Sequence, residues 1–284
     1  MRSVVVTGTS TGIGWGIAKV LTAKGFRVFG SVRKKSDADR LSAEFGSRFV
    51  PLLFDVTDEA AVHAAATEVR AALGGETLAG LVNNAGIAVA GPLLNLPINE
   101  FRRQIDTNLV GAVIVIQAFA PLLGADRQLK GRPGRILNIS SVGGRVATPF
   151  LAFYHASKFG VEGLSESLRR ELLCHEIDVI VIAPGAVATA IWGKVGQIDL
   201  APYVNTPYAP ALERLCAYML ALGKGGLPPE RLGQAVMHAL TATRPKVRYA
   251  VTPQPFQDWL GRNLPKRLID RMIGNWLGLL PARR

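Results

Sequence analysis

Tyr154 and Lys158 stand four residues apart in the segment YHASK, where an apolar loop gives way to a helical pattern. Residues i and i+4 share a helix face, so the phenol and the ammonium can address one space. An ammonium beside a phenol favours the phenolate and draws its pKa down from about 10 towards neutrality. A pair tuned in this way can give and take a proton, which is the chemistry of general acid–base catalysis. A surface tyrosine next to a solvated lysine is the simpler account of the same residues. The pair therefore needs partners elsewhere in the chain.

One candidate lies near the N-terminus. The string TGTSTGIG, Thr7 to Gly14, follows the β-branched run SVVVT and opens a helical pattern. Glycines at 8, 12 and 14 let the backbone turn tightly and approach a pyrophosphate, whose charge would rest against a helix N-terminus. The spacing departs from GxGxxG, but the strand–loop–helix setting is that of a dinucleotide site. Metal chemistry is not expected. His63, His155, His175 and His238 are scattered, and the side chains of CHE at 174–176 point in different directions.

These groups need a scaffold. Six apolar runs, at 3–7, 26–31, 48–54, 78–84, 134–140 and 178–184, alternate with helical patterns around 37–46, 58–72, 97–124 and 152–176. Strands apolar throughout are buried on both faces, which predicts an α/β doubly wound parallel sheet flanked by helices. No internal repeat and no linker appears before about residue 185. Residues 1–250 read as one catalytic domain with a substrate lid at about 186–230, and 251–284 as a basic amphipathic extension. The apolar run 109–125 contains Gln117 and Pro121 and reads as a helix of a buried core rather than a membrane span. With 284 residues, 49% hydrophobic and 30 of them glycine, the chain is long and apolar enough to bury such a core. Two cysteines, Cys174 and Cys216, with no disulfide framework around them suit a reducing compartment. With VVVTG starting at once after Met1-Arg2-Ser3 and leaving no room for a signal peptide, a cytoplasmic location is expected.

The ordered set of motifs resembles the short-chain dehydrogenase/reductase family, in the branch with TGxxxGIG and YxxxK. The resemblance runs over about residues 3–190: NNAG at 83–86, Asn108 in the next helix, NISSVGG at 138–144 and PGAVAT at 184–189, around the glycine loop and YHASK. It implies a catalytic set of Asn108, Ser141, Tyr154 and Lys158. Tyr154 would exchange the proton and Lys158 would tune it and hold the nicotinamide ribose. Ser141 would bond the substrate oxygen, its thirteen-residue distance from Tyr154 preferring it to Ser140. Asn108 would support a water-linked proton path behind Lys158. Gly8, Ser10, Gly12, Ile13 and Gly14 would cradle the cofactor, and Asp55 with Val56 would meet the adenine. Asn83, Ala85, Gly86, Pro184, Gly185, Val187 and Thr189 would line the rest. The resemblance also implies a homo-oligomer, a dimer or tetramer. The block around YHASK is similar to hydroxysteroid and retinol dehydrogenases of the family, which implies oxidoreduction of an apolar alcohol, ketone or aldehyde. A non-catalytic dinucleotide-binding or membrane-surface adaptor is the alternative.

Cofactor choice is read after the second strand, where SVRKKS puts Val32 near the position of the acid that would hold the NAD ribose. Arg33 beside it can grip a phosphate, so NADP is favoured, with NAD the second choice. Ile191, Trp192, Val195, Ile198, Tyr203 and Tyr208 give the lid an apolar face, and Phe150, Leu151 and Phe153 precede the tyrosine. Together they suit a steroid-, retinoid- or lipid-like substrate. Net charge is +12, and residues 244–284 hold nine Lys and Arg against two Asp. Leu264, Leu268, Ile269, Met272, Ile273, Trp276 and Leu277 fall on one helical face there, with Asn263 as a cap. That face could cover the substrate pocket, a subunit or, through residues 262–284, an anionic membrane. Nucleic-acid binding is not expected, because no module for it is present.

Overall fold

The computed structural model describes residues 1–189 and 200–281. Seven parallel strands form one sheet in the order β3-β2-β1-β4-β5-β6-β7. They are β1 (Ser3–Val6), β2 (Arg27–Val32), β3 (Phe49–Leu53), β4 (Gly80–Asn83), β5 (Arg135–Ile139), β6 (Asp178–Pro184) and β7 (Arg248–Val251). The six expected strands are present. The seventh, RYAV, lies at the edge and is only partly buried, so it lacks the continuous apolar run of the others.

Neighbouring residues of each strand serve opposite faces. Val4, Val6, Ile180 and Ile182 join one core with Ile17 and Leu21 of α1 (Gly12–Ala23), Leu41 of α2 (Lys35–Phe45) and Val236 of α8 (Pro229–Thr241). Val5, Leu81 and Val179 face the other core, under α3 (Glu59–Leu73) and α5 (Gly111–Phe119). Helices α1 and α8 touch backbone to backbone. A Cβ on Gly233 would stand 2.6 Å from the Gly16 carbonyl oxygen, so no larger residue fits there.

The expected helix at 97–124 is built in pieces: α4 (Ile98–Ile105), a widened π-type turn (Asp106–Val110), α5, and a 3-10 turn (Ala120–Leu123). Among the described residues Ile98–Leu123 is the one helical stretch long and apolar enough to cross a membrane. Val115, Phe119 and Leu123 are nonetheless fully enclosed in the second core.

After β6 come α7 (Ala209–Lys224) and α8, and after β7 come α9 (Pro255–Asn263) and α10 (Lys266–Leu277). A third apolar cluster gathers Phe150, Tyr203, Leu212, Leu215 and Leu277, with Tyr208 and Ile273 packed against it. The expected tail face divides: Ile273 and Leu277 turn inward, while Leu268, Met272 and Trp276 are exposed. Asn263 does not cap α10. Its Nδ2 donates to the Trp259 carbonyl at 2.8 Å and so closes α9, and Pro265 begins α10 instead. Ile191, Trp192, Val195 and Ile198 of the expected lid lie outside the described residues.

Candidate active site

The strand order reverses between β1 and β4, so their C-terminal ends open onto a crevice. Thr7 fastens its two walls. Its Oγ1 accepts from the amides of Asn84 (2.9 Å) and Ala85 (3.0 Å), while Asn84 Nδ2 donates to the carbonyls of Thr7 (2.9 Å) and Gly8 (3.1 Å). Gly8 needs its φ of +68°, and a Cβ there would come within 2.9 Å of Ala85 Cα. Gly12, at φ +62°, faces Thr189, whose Cγ2 would sit 3.3 Å from any added Cβ. The segment ending at Thr189 thus closes over the glycine loop, with Gly185 tucked against Thr252 and Val187 buried in the first core. At the start of α1, Ile13 packs on that core and Gly14 touches the Gly8 carbonyl. No side chain caps α1 and its first turn holds no acid, which leaves the positive end of the helix to a pyrophosphate.

A small cavity behind the loop is lined by Asn83, Thr107, Asn108 and Lys158. Asn83 Nδ2 donates to Asn138 Oδ1 at 2.9 Å, but Asn83 Oδ1 is buried without a partner among the described residues. Such an acceptor costs about 1–3 kcal/mol unless a donor reaches it, which marks this wall as one that receives water or a ligand. Asn108 sits in the π-type turn. It accepts from the Ile87 amide (2.8 Å) and donates to the Ile87 carbonyl and Ser157 Oγ (3.0 Å each). Gly86 lies directly against Asn108 Oδ1.

Tyr154 and Lys158 belong to the first turns of α6 (Ala152–Glu171). Ser141 stands just past β5, its Oγ accepting from the Gly143 amide at 3.0 Å and near enough to the Tyr154 phenol to favour its ionised form. Ser140 points the other way, towards the Lys158 carbonyl at 3.5 Å. The expected depression of the Tyr154 pKa is not what this arrangement gives. Burial raises it above the ordinary tyrosine value, with Ser141 opposing. The physical reason is the position of Lys158, whose Nζ donates to the Ile139 carbonyl at 2.8 Å and lies 5.9 Å from the centre of the Tyr154 ring. Burial brings the Lys158 ammonium itself down to about 8.

Comparison with known proteins agrees with this architecture. The family profile "short chain dehydrogenase" matches residues 2–199. The chain belongs to the short-chain dehydrogenase family. It is 39% identical to an NADPH-dependent 3-dehydrocapnine reductase of Ornithobacterium rhinotracheale, over 96% of each chain. It is 32% identical to human retinol dehydrogenase 5, over 99% of this chain and 90% of that one. A solved short-chain dehydrogenase from Streptomyces avermitilis shares the fold with a TM-score of 0.76 at 24% identity, covering 98% of this chain and 96% of that one.

Several side chains that shape this short-chain dehydrogenase carry no motif of their own in the sequence. His155, next to the tyrosine, has Nδ1 2.7 Å from the Gly143 carbonyl, while its Nε2 receives the Thr148 amide at 3.0 Å. An amide can only donate, so the ring is neutral with its proton on Nδ1. Burial lowers the His155 pKa in keeping with that state, against the Gly143 hydrogen bond. Glu162, two turns beyond Tyr154, is held by Arg248 of β7 (both oxygens at 3.1 Å) and by Arg145 (3.1 Å). Arg248 also donates to the Ser141 carbonyl at 3.3 Å. The Arg145–Glu162–Arg248 triad thereby ties the serine loop to the tyrosine helix. Gln104, fully buried, grips the Ile87 carbonyl and the Val89 amide and so fixes the loop after NNAG. In the polar stretch NEFRRQIDTN nothing in the sequence sets it apart.

At the far end of the crevice Val32 is 2% exposed and packs in the core that also holds Ala38 and Leu41. Arg33 reaches into solvent: its side chain is 74% exposed and meets Asp55 Oδ2 at 3.5 Å. Burial opposes the Asp55 charge, but the Thr57 amide and hydroxyl and the Arg33 guanidinium outweigh it and hold the pKa below the usual value. Val56 is buried beside it, against Gly111. Ser10 offers its carbonyl to Arg40 at 2.6 Å, so α2 steadies the glycine loop, a role with no sequence signature.

The buried lysine makes stability depend on pH. Below pH about 8 folded and unfolded chains both carry the Lys158 proton, and the fold bears the whole cost of a poorly solvated ammonium. Between about 8 and the ordinary 10.5 the unfolded chain still holds the proton and the folded chain has lost it. This group's contribution therefore rises with pH across that window, by up to roughly 3 kcal/mol. Urea unfolding from pH 8 to 10 should show this rise in the wild type relative to Lys158→Met. Parallel curves for the two proteins would remove Lys158 as its source.

Proposed function

We propose that this dehydrogenase uses NADP(H) to interconvert an apolar secondary alcohol or aldehyde-level substrate with its oxidation partner, steroid-, retinoid- or lipid-like in size. The observation that carries the reading is the gathering of Ser141, just past the end of β5, with Tyr154 and Lys158 at the start of α6, the Lys158 ammonium 5.9 Å from the centre of the tyrosine ring. When bound, the nicotinamide supplies or accepts the hydride. Ser141 donates to the substrate oxygen and holds the carbonyl carbon in place, and the Tyr154 phenol delivers its proton to that oxygen during reduction. Lys158 binds the ribose hydroxyls, and Asn108, which holds the Ile87 backbone, lines the same small cavity as Lys158. Gly8, Ser10, Gly12, Ile13 and Gly14 carry the pyrophosphate. Asn83, Ala85, Gly86, Pro184, Gly185, Val187 and Thr189 enclose the nicotinamide end. Asp55 and Val56 meet the adenine, and Arg33 the extra phosphate.

Apolar preference is supported by Phe150, Tyr203 and Tyr208, which gather beside the catalytic helix and stand on or next to the lid. Phe150 holds a left-handed backbone at φ +65°, costly for a bulky residue, and Gly91 donates to its carbonyl at 2.8 Å. A conformation kept at that cost points to a wall that must stay where it is. Phe153 serves elsewhere, its ring 5.0 Å from that of Phe101. Two relatives support the chemistry by name, one a reductase of a 3-dehydro compound that depends on NADPH, the other a retinol dehydrogenase. Loss of NADPH absorbance with a panel of ketones tests the proposal. Consumption with bulky apolar ketones and little with ketose sugars is expected; a protein that binds NADPH yet turns over none of them would be the non-catalytic adaptor.

A further inference from the structure

Helix α10 has one more face than the fold uses. Ile273 and Leu277 pack on Leu212 and Leu215, which anchors the helix. On another side Leu268 (45% exposed), Met272 (57%) and Trp276 (47%) follow one another at four-residue intervals, and Leu280 (48%) comes just beyond the helix end. Trp276 meets Tyr218 of α7 edge-on at 5.0 Å. Tyr218 in turn lines a surface groove with Ala221, Leu222, Pro253 and Gln254. Gln254 stands at the start of α9, where Phe256 (68%) and Trp259 (53%) stack on each other in the open, 6.3 Å apart. The groove thus joins two exposed apolar patches into one band across three helices. Bands of this extent mark a contact surface.

Charge indicates what covers it. Arg267 and Arg271 precede Leu268 and Met272, which places both guanidiniums along one border of the line, with Lys266 and Arg262 nearby and all four residues exposed. Asp258 is neutralised by Arg262 at 3.0 Å, which leaves Asp270 as the unpaired acid of the two helices among the described residues. A second copy meeting this face about a two-fold axis would set its cationic border against an identical one. A bilayer with anionic headgroups accepts both parts: leucine, methionine and tryptophan at the acyl boundary and arginines among the phosphates.

We propose that the exposed face of α9, α10 and Tyr218 docks this dehydrogenase on an anionic lipid surface. Co-flotation of the full-length protein with vesicles of phosphatidylcholine alone, or with added phosphatidylserine, tests it without any measure of turnover. Binding is expected to the anionic vesicles and to be lost in high salt. Arg267→Gln with Arg271→Gln should lower partition about thirtyfold. Leu268→Ser with Met272→Ser should abolish it while circular dichroism stays unchanged, because both side chains lie outside the core. Equal partition onto neutral vesicles, or no binding to either kind, would overturn the proposal. So would a lipid-free dimer, seen by light scattering, that the same serine substitutions split.

Discussion

Tyr154→Phe is expected to lower turnover at least about a hundredfold, the usual scale for loss of a general acid or base. The phenyl ring keeps its place against His155, 5.6 Å between ring centres, and only the hydroxyl is removed. Ser141 retains the Gly143 amide and has the Pro184 carbonyl within 3.4 Å, so its hydroxyl is not orphaned. Stability should therefore change by no more than about 1 kcal/mol. NADPH affinity, followed by quenching of protein fluorescence, should stay within about a factor of two, because the lost group faces the substrate oxygen. Turnover at the wild-type rate would remove Tyr154 from proton transfer. A matching loss of NADPH affinity would move its role to cofactor binding.

The parts of this design that could be read in the chain are those held in local patterns. Six strands announce themselves as apolar runs because both faces of a parallel sheet are buried. The glycine loop and the Tyr154–Lys158 pair are short, and each owes its form to a single turn of backbone. What could not be read depends on distance in the sequence. Arg248 meets Glu162 and Ser141 across 86 and 107 positions, and RYAV gives no hint that it will lie beside β6. The direction of the Lys158 ammonium depends on the Ile139 carbonyl, which spacing alone does not locate. The division of the tail helix into a buried and an exposed side follows from where α7 stands. An amphipathic pattern shows that a helix has an apolar side, not how wide the surface beneath it is.

Replacing Arg33 with Ala should raise the Michaelis constant for NADPH about ten- to a hundredfold and leave that for NADH nearly unchanged. A charge-assisted contact to the adenosine phosphate is worth roughly 1.5–3 kcal/mol, and NADH has no such phosphate. The single substitution is the cleaner one. At 2% exposure Val32 is a core residue, and an aspartate there would bury a charge as well as alter the cofactor site. The Arg33–Asp55 contact, at 3.5 Å between exposed side chains, contributes at most about 1 kcal/mol to the fold. Its loss also provides an internal control. Asp55 is assigned to the adenine, which both cofactors carry, so an effect transmitted through Asp55 would weaken NADH and NADPH alike. Equal losses would place Arg33 outside phosphate recognition, and no loss for either would return it to solvent.

The triad that joins Arg145, Glu162 and Arg248 has a consequence for how the protein is made. Ser141, Tyr154 and Lys158 all leave the ribosome well before Arg248, which belongs to the last strand to be added at the edge of the sheet. Until that strand docks, Glu162 keeps Arg145 as its one cationic partner among the described residues, and the Ser141 carbonyl lacks the guanidinium that holds it. A nascent chain ending near residue 240 would carry every motif of the family and an unfinished serine loop. The serine loop thus receives its last tie only when the edge strand closes the sheet.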